Sequence, residues 1–216
     1  MRRRRLLWSS VVLLAAGAGL TRRPAYADEP GRAGSPPATP AASDALPTFV
    51  KPREAWGAAP PAQPYVPHTP AGVVLHHTGA PWYGRPPVEQ YLRNLQAFHT
   101  GPERGWEDIA YHFLIDLEGG VWAGRPPEVR GNPSVYYDAL GLVLICFLGD
   151  YDQQVPSEAQ LSAASGTAAW LIRRFKLAAS AIAGHRDLAP TECPGANVYP
   201  LLQDGSFGGR VRALLG

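Results

Sequence analysis

The run LGLVLICFL, at residues 140–148, decides the fold of this 216-residue chain. Its apolar residues do not alternate with polar ones, which is typical of a strand buried on both faces in the middle of a sheet. A β-branched run, GVVLHH at residues 72–77, predicts a second strand. The two runs predict the centre of a β-sheet.

Other segments predict the strands that surround this centre. Residues 109–116 alternate as a strand, EGG at residues 118–120 predicts a turn, and VWA at residues 121–123 predicts the returning strand of a hairpin. Residues 181–183 predict a final short strand. The sheet is therefore expected to contain strands that lie between residues 72 and 183.

Helical spacing marks two further segments. The apolar face of the first helix consists of Val88, Tyr91, Leu92, Leu95 and His99. Ser157 and Gln160 have the spacing of a capping box, which predicts the start of a long helix that reaches Phe175. Strands and helices together predict an α/β fold class, a single domain with a central mixed β-sheet flanked by helices.

The front of the chain has a different composition from the rest. Four arginines at residues 2–5, an apolar stretch at residues 6–20 and AYA at residues 25–27 have the order of a secretory signal peptide, so we expect cleavage after Ala27. A helix of 15 residues rises only ~22 Å, too little to cross a hydrocarbon core of ~30 Å. Residues 28–46 are rich in Pro, Ala, Ser and Gly and predict a disordered linker. Residues 47–216 are then the functional domain.

The charge of the chain restricts the kinds of molecule that it is expected to bind. From residue 28 onward, 14 basic residues stand against 18 acidic ones, and this segment contains no basic run. Because nucleic-acid binders need a basic surface to neutralise phosphates, we expect no nucleic-acid partner. We also expect no stable membrane insertion after signal cleavage. The mature protein is predicted to be exported, either periplasmic or secreted, and monomeric.

Two cysteines lie in different sequence contexts. Cys146 is inside the buried central run, where a thiol behaves as a small hydrophobe. Cys193 follows His185 by eight residues in a polar loop, and His76 ends a predicted strand. Two histidines and a cysteine are one known ligand set of catalytic zinc sites. A Cys–His nucleophilic pair and an unrelated His and Cys remain the alternatives at this point.

Five motifs in a fixed order resemble a known family. They are REAWGA at 53–58, VLHHT at 74–78, RGWEDIAYHFLI at 104–115, VWAGR at 121–125, and GHRD at 184–187 together with TECPG at 191–195. From Phe49 to about Tyr199 the chain resembles the peptidoglycan recognition protein and type-2 N-acetylmuramoyl-L-alanine amidase family. Each motif alone is weak, but five in order make the resemblance specific.

The resemblance implies a peptidoglycan recognition protein-like fold and a set of site residues. His76, His185 and Cys193 are implied as ligands of a Zn²⁺ cofactor, and Tyr111 and Thr191 as groups that line the reacting centre. The choice of His76 agrees with strand geometry, since successive strand side chains point to opposite faces and only one of two adjacent histidines can face a given site.

The same resemblance implies an enzyme. Family members that only bind peptidoglycan commonly lack the cysteine ligand, and this sequence has Cys193. The implied activity is zinc-dependent hydrolysis of the amide between N-acetylmuramic acid and L-alanine, with peptidoglycan or muropeptides as the substrate. The alternatives are a non-catalytic peptidoglycan-binding receptor and a hydrolase with Cys193 as nucleophile and His185 as base.

One segment departs from the family pattern. Family members usually have a Gly-x-His segment followed by an Asn before the central strand, whereas residues 129–139 here read VRGNPSVYYDA without a histidine. Tyr136 and Tyr137 are candidate stacking surfaces for a sugar, with ordinary loop packing as the alternative. Together with Trp106, they complete the expected substrate-binding residues.

Overall fold

The structure, a computed structural model, describes residues 46–135 and 137–216. The predicted signal peptide and the predicted linker, except for Leu46, lie outside the described residues, as does Tyr136. Within the described residues, six strands form one sheet in the order β1-β4-β3-β5-β2-β6. Their bounds are β1 Val50–Lys51, β2 Gly72–His77, β3 Phe113–Ile115, β4 Val121–Ala123, β5 Leu142–Phe147 and β6 Ile182–Gly184.

The sheet is mixed, as predicted. Strands β3 and β4 pair antiparallel, and every other pair is parallel. Strand β5, inside the apolar run at residues 140–148, lies between β3 and β2. Its side chains from Val143 to Phe147 are fully buried, which agrees with the pattern of a strand covered on both faces.

The described part of the chain also forms four α-helices that pack around the sheet: α1 Val88–Thr100, α2 Glu158–Phe175, α3 Tyr199–Gln203 and α4 Ser206–Leu215. The predicted capping box is present at α2, where the Ser157 hydroxyl accepts from the Gln160 backbone N–H and the Gln160 side chain accepts from the Ser157 N–H. The mixed α/β architecture predicted from the sequence is confirmed.

Two hydrophobic cores lie on opposite faces of the sheet. Leu161 of α2 and Phe207 of α4 belong to one core, together with Val73 and Leu75 of β2. Leu92 of α1 belongs to the other core, together with Val74 of β2 and the strand β5 residue Leu144. Since strand side chains alternate between faces, His76 extends toward the α1 core and His77 toward the α2 core.

The strand predicted at residues 109–116 is shorter in the structure, because it begins only at Phe113. Tyr111 and His112 still make backbone hydrogen bonds to Arg125, Gly124 and Leu144, but the backbone of residues 108–110 is held by other groups. The buried guanidinium of Arg125 donates to the carbonyls of Asp108 and Ile109, and the Asn132 backbone N–H donates to the Ala110 carbonyl. These carbonyls are therefore satisfied without a sheet ladder.

Other boundaries also differ from the sequence predictions. Strand β5 starts at Leu142 because Gly141 adopts a positive φ of 78° and turns the chain into the strand. The last strand lies one residue later than predicted, at Ile182–Gly184. The sequence analysis did not predict β1, α3 or α4.

Asp108 is the centre of a buried polar network on the α1 side. Its carboxylate pairs with Arg53 at 2.8 Å and accepts from the Gln96 side chain at 2.6 Å and the Ile109 backbone N–H at 2.7 Å. The Tyr65 hydroxyl also donates to it. Asp108 is fully buried, so all of these donors depend on one carboxylate.

Replacing Asp108 with alanine is expected to destabilise the fold strongly. Breaking a buried ion pair by removal of one partner costs about 3–5 kcal/mol, and we expect the lower end because the Arg53 side chain keeps 21% exposure. Urea denaturation would measure the change in the free energy of unfolding. Glu103→Ala, at an exposed residue, is the control and should change it little; a similar loss in both variants would contradict the role of the network.

Candidate metal centre and adjoining cleft

Three potential metal ligands converge at one end of the sheet. His76 is the penultimate residue of strand β2, and His185 directly follows strand β6. The two strands pair through Leu75 and Gly184. Parallel pairing therefore brings both histidines to the same edge, with ring centroids 4.6 Å apart. Cys193 returns to them from the loop beyond His185, and the ligand atoms of the three residues all lie within 4.8 Å of one another.

Hydrogen bonds fix which ring nitrogen of each histidine faces the centre. The His185 Nε2 lies 3.1 Å from the Val135 carbonyl, which can only accept, so Nε2 carries the proton and Nδ1 has the free lone pair. The His76 Nδ1 lies 3.5 Å from the Cys193 Sγ, while its Nε2 lies 3.0 Å from the Tyr137 hydroxyl. Both histidines thus have Nδ1 available as a ligand.

The electrostatics of the centre favour neutral histidines. Burial lowers the pKa of His76 well below its usual value, reinforced by His185, and burial also lowers the pKa of His185. Only a neutral imidazole can bind a metal. Burial raises the pKa of the Cys193 thiol to about 12, which is the opposite of what a cysteine nucleophile requires. The His77 backbone N–H donates to the Cys193 Sγ at 3.3 Å and so favours a thiolate there.

The donor set fits zinc. Imidazole nitrogen and thiolate sulfur are its common protein ligands, and tetrahedral zinc with ordinary bond lengths places a nitrogen and a sulfur ligand about 3.5–3.6 Å apart. The observed separation of His76 Nδ1 and Cys193 Sγ is 3.5 Å. Three protein ligands would leave a fourth position open, which is the arrangement of a catalytic site.

Tyr111 and Thr191 both line the cavity of about 110 Å³ beside the three ligands. The ring of Tyr111 lies 5.5 Å from that of His76, centroid to centroid. Burial raises the pKa of Tyr111 well above its usual value, so its hydroxyl keeps its proton. The Thr191 Oγ1 accepts from the Cys193 backbone N–H at 3.2 Å. This bond occupies an acceptor site and leaves the threonine proton available for donation.

Three neighbouring side chains make their polar contacts away from the three ligands. The His77 Nδ1 accepts from the Tyr151 backbone N–H at 3.0 Å on the opposite face of the sheet. His112 is also turned away, and its Nδ1 accepts from the Leu144 backbone N–H. Glu192 pairs with Arg186 at 2.8 Å and its side chain is 80% exposed. Glu192, which the sequence allows as a proton acceptor, therefore faces solvent.

A second cavity of about 110 Å³ lies beside the metal centre and is lined by Trp106, Asn132 and Tyr137, among others. The ring of Trp106 packs against His99 at a centroid distance of 4.9 Å. Tyr137 is only 7% exposed, and it borders this cavity while its hydroxyl contacts His76. Of the expected substrate-binding residues, Trp106 and Tyr137 share this cavity, and Tyr137 also contacts the ligand His76.

Comparison with known proteins gives the family. The family model described as N-acetylmuramoyl-L-alanine amidase (Amidase_2) matches residues 66–196, more than half of the chain. Peptidoglycan recognition protein 1 of Mus musculus is 32% identical over 72% of this chain and 87% of its own length. The chain belongs to the Amidase_2 and peptidoglycan recognition protein family.

Some relatives in the Amidase_2 family are named as amidases and others as recognition proteins. The N-acetylmuramoyl-L-alanine amidase of Homo sapiens is 31% identical over 71% of this chain, which spans 28% of that protein. Among solved structures, peptidoglycan recognition protein-LE in complex with tracheal cytotoxin, a monomeric diaminopimelic acid-type peptidoglycan, matches with a TM-score of 0.66 and 25% identity over 73% of this chain and 94% of that one. These matches confirm the family and fold implied by the resemblance.

The sequence did not show that Val135 and Tyr137 would contact the metal centre. Val135 and Tyr137 contact the two histidines directly, although neither residue type is a metal ligand in this setting. The one sequence feature that distinguishes this segment is its departure from the family pattern at residues 129–139.

Proposed function

We propose that this protein is an exported, zinc-dependent N-acetylmuramoyl-L-alanine amidase that acts on peptidoglycan or muropeptides. In this proposal residues 1–27 are a cleaved signal peptide, residues 28–46 a linker and residues 47–216 the amidase domain. Within residues 46–135 and 137–216, none of the helices combines the length and the apolar character needed to cross a membrane.

The observation that carries the proposal is the convergence of His76, His185 and Cys193. Their ligand atoms lie within 4.8 Å of one another, and each histidine makes its outer hydrogen bond through Nε2, which leaves Nδ1 as the ring nitrogen for the metal. A structural site would use four protein ligands, whereas three leave a position for a reactant. The presence of Cys193 supports an enzyme, because the resembled receptors commonly lack that ligand.

Zinc bound by these ligands would supply Lewis acidity, which lowers the pKa of water to ~7 and polarises an amide carbonyl. The chain's own residues complete the chemistry. Tyr111 and Thr191 both line the ligand cavity, and in this proposal their hydroxyls donate to the negative charge that develops on the carbonyl oxygen. One such donor is typically worth ~3–4 kcal/mol of barrier.

The cavity beside Trp106 supports a substrate that extends from the metal centre. Tyr137 borders this cavity and also contacts His76, so a bound molecule in the cavity would lie next to the reacting groups. The solved relative in complex with a diaminopimelic acid-type muropeptide suggests the probe for a first assay.

Digestion of purified diaminopimelic acid-type muropeptides by the mature protein tests the proposal. Mass spectrometry is expected to show separation of the sugar from the peptide at the lactyl–alanine amide, and a chelator should abolish it until zinc is restored. Binding of muropeptide without any cleavage in the presence of zinc would overturn the enzymatic assignment.

A non-catalytic receptor is the second candidate, and the named recognition proteins among the relatives favour it. It would use the Trp106 cavity without turnover, so the same digestion separates it from an amidase. A Cys–His hydrolase would leave the convergence of His76 on the same centre without a role.

A further inference from the structure

Pro133, Ser134, Val135 and Tyr137, which we call the rim segment, lie beside the metal centre although none of them is one of its ligands. Ser134 and Val135 line the ligand cavity, and Tyr137 borders the neighbouring one. The rim segment falls within residues 129–139, where the chain departs from the family pattern. Its contacts are therefore features of this chain that the family assignment does not supply.

The first contact joins Tyr137 to His76. The Tyr137 hydroxyl oxygen lies 3.0 Å from the His76 Nε2, on the side of the ring opposite the nitrogen that faces Cys193. The phenol oxygen can accept from an Nε2–H, and in that arrangement the His76 Nδ1 on the other side of the ring has the lone pair that faces Cys193. The bond is thus placed to hold the ring in the ligand orientation.

The second contact joins the backbone of Val135 to His185. The Val135 carbonyl accepts from the His185 Nε2–H at 3.1 Å, and it selects the same tautomer for the second histidine. The two ligands are 109 positions apart in the sequence, yet their outer nitrogens bond to residues only two positions apart. One short segment therefore orients both rings.

Ring packing makes the Tyr137 contact well defined. Its ring stacks on that of His76 with an interplanar angle of 18° and contacts that of His185 at a centroid distance of 5.1 Å. With 7% exposure, the hydroxyl is shielded from competing water. A buried hydrogen bond of this kind restrains the orientation of the histidine ring more than a solvated one does.

We propose that the rim segment positions the metal ligands, with Tyr137 as the positioning residue for His76 and the Val135 carbonyl as its counterpart for His185. This role rests on the proposed zinc site and adds to it residues that do not touch the metal. Outer hydrogen bonds to metal-bound histidines fix ring orientation and raise ligand basicity, and their loss typically weakens metal affinity 10–100-fold.

The variant Tyr137→Phe tests the proposal because it removes one hydroxyl and keeps the ring. Competition with a chromophoric chelator should show a zinc dissociation constant raised about 10–100-fold. The control is Tyr151→Phe, which removes another fully buried hydroxyl, one that donates to the Leu148 carbonyl on the opposite side of the sheet. The control should lower thermal stability and leave the dissociation constant unchanged.

A spectroscopic measurement separates positioning from packing. In the zinc-loaded protein, nitrogen NMR should show both histidines bound through Nδ1, and the His76 Nε2 proton should exchange much faster with water in Tyr137→Phe than in the unmodified protein. A zinc dissociation constant within twofold of the original, or an unchanged exchange rate, would overturn the role of Tyr137.

The outcomes also separate this inference from the proposed function. Normal muropeptide cleavage together with unchanged zinc affinity in Tyr137→Phe would leave the amidase standing and reject the positioning role. Weakened zinc affinity in the variant, together with no cleavage by the original protein, would reject the amidase and keep the positioning role. A protein that binds no zinc at all would reject both.

Discussion

Replacement of His185 with alanine is expected to remove bound zinc and muropeptide hydrolysis together. Only His76 and Cys193 would remain as ligands, and two protein ligands rarely retain zinc, because binding depends on the complete preformed set. Metal analysis of the purified protein should fall from about one zinc per chain to nearly none, and turnover should become undetectable.

His77→Ala is the matched control for this result. It removes a neighbouring histidine that faces the other side of the sheet, but it keeps the backbone N–H that donates to Cys193. The Tyr151 backbone N–H would lose its acceptor, so a loss of about 1–3 kcal/mol in the free energy of unfolding is expected, with zinc retained. Full zinc content in His185→Ala would remove His185 from the proposed site.

Tyr111→Phe is expected to lower turnover about 100-fold or more while zinc content stays normal. Loss of one hydroxyl that donates to the developing oxyanion typically costs 10²–10³ in rate, and the buried ring keeps its packing against His76. The fall should appear in kcat and in kcat/KM alike, as expected for an interaction made only in the transition state.

Tyr83→Phe provides the comparison for Tyr111, because its side chain is 72% exposed and lies outside the ligand cavity. Its kinetics should not change. If Tyr111→Phe kept the original kcat with full zinc, Tyr111 would be a core residue and the hydroxyl donor would have to be sought elsewhere in the cavity.

The sequence predicts those elements whose pattern does not depend on distant contacts. The apolar run at residues 140–148 avoids water only when both of its faces are buried, which predicts a central strand. The capping box at Ser157 specifies the start of a helix through local hydrogen bonds. Helix α4 has no such signal, because Gly208 and Gly209 disfavour a helix in isolation. It forms where Phe207 and Val211 are buried in the core shared with α2.

The site was predictable only in part for a similar reason. The order of the motifs identifies His76, His185 and Cys193 as a group, and the alternation of strand side chains separates His76 from His77. The position of Tyr137 depends on the path of a loop across the sheet edge, which leaves no periodicity in the sequence. The sequence suggests a sugar-stacking surface there, and the structure adds a hydrogen bond to His76.

The free thiol of Cys193 has a further consequence if the protein is exported, as proposed above. Such chains commonly gain stability from a disulfide, but neither Cys146 nor Cys193 forms one. A metal held by His76 and Cys193 would join residues 117 positions apart, and a covalent bridge over a loop of that length restricts the unfolded chain by about 4–5 kcal/mol in the entropic account. Zinc would then act as a reversible cross-link in this domain. The concentration of metal in the environment would determine how strongly the sheet edge at β6 is stabilised.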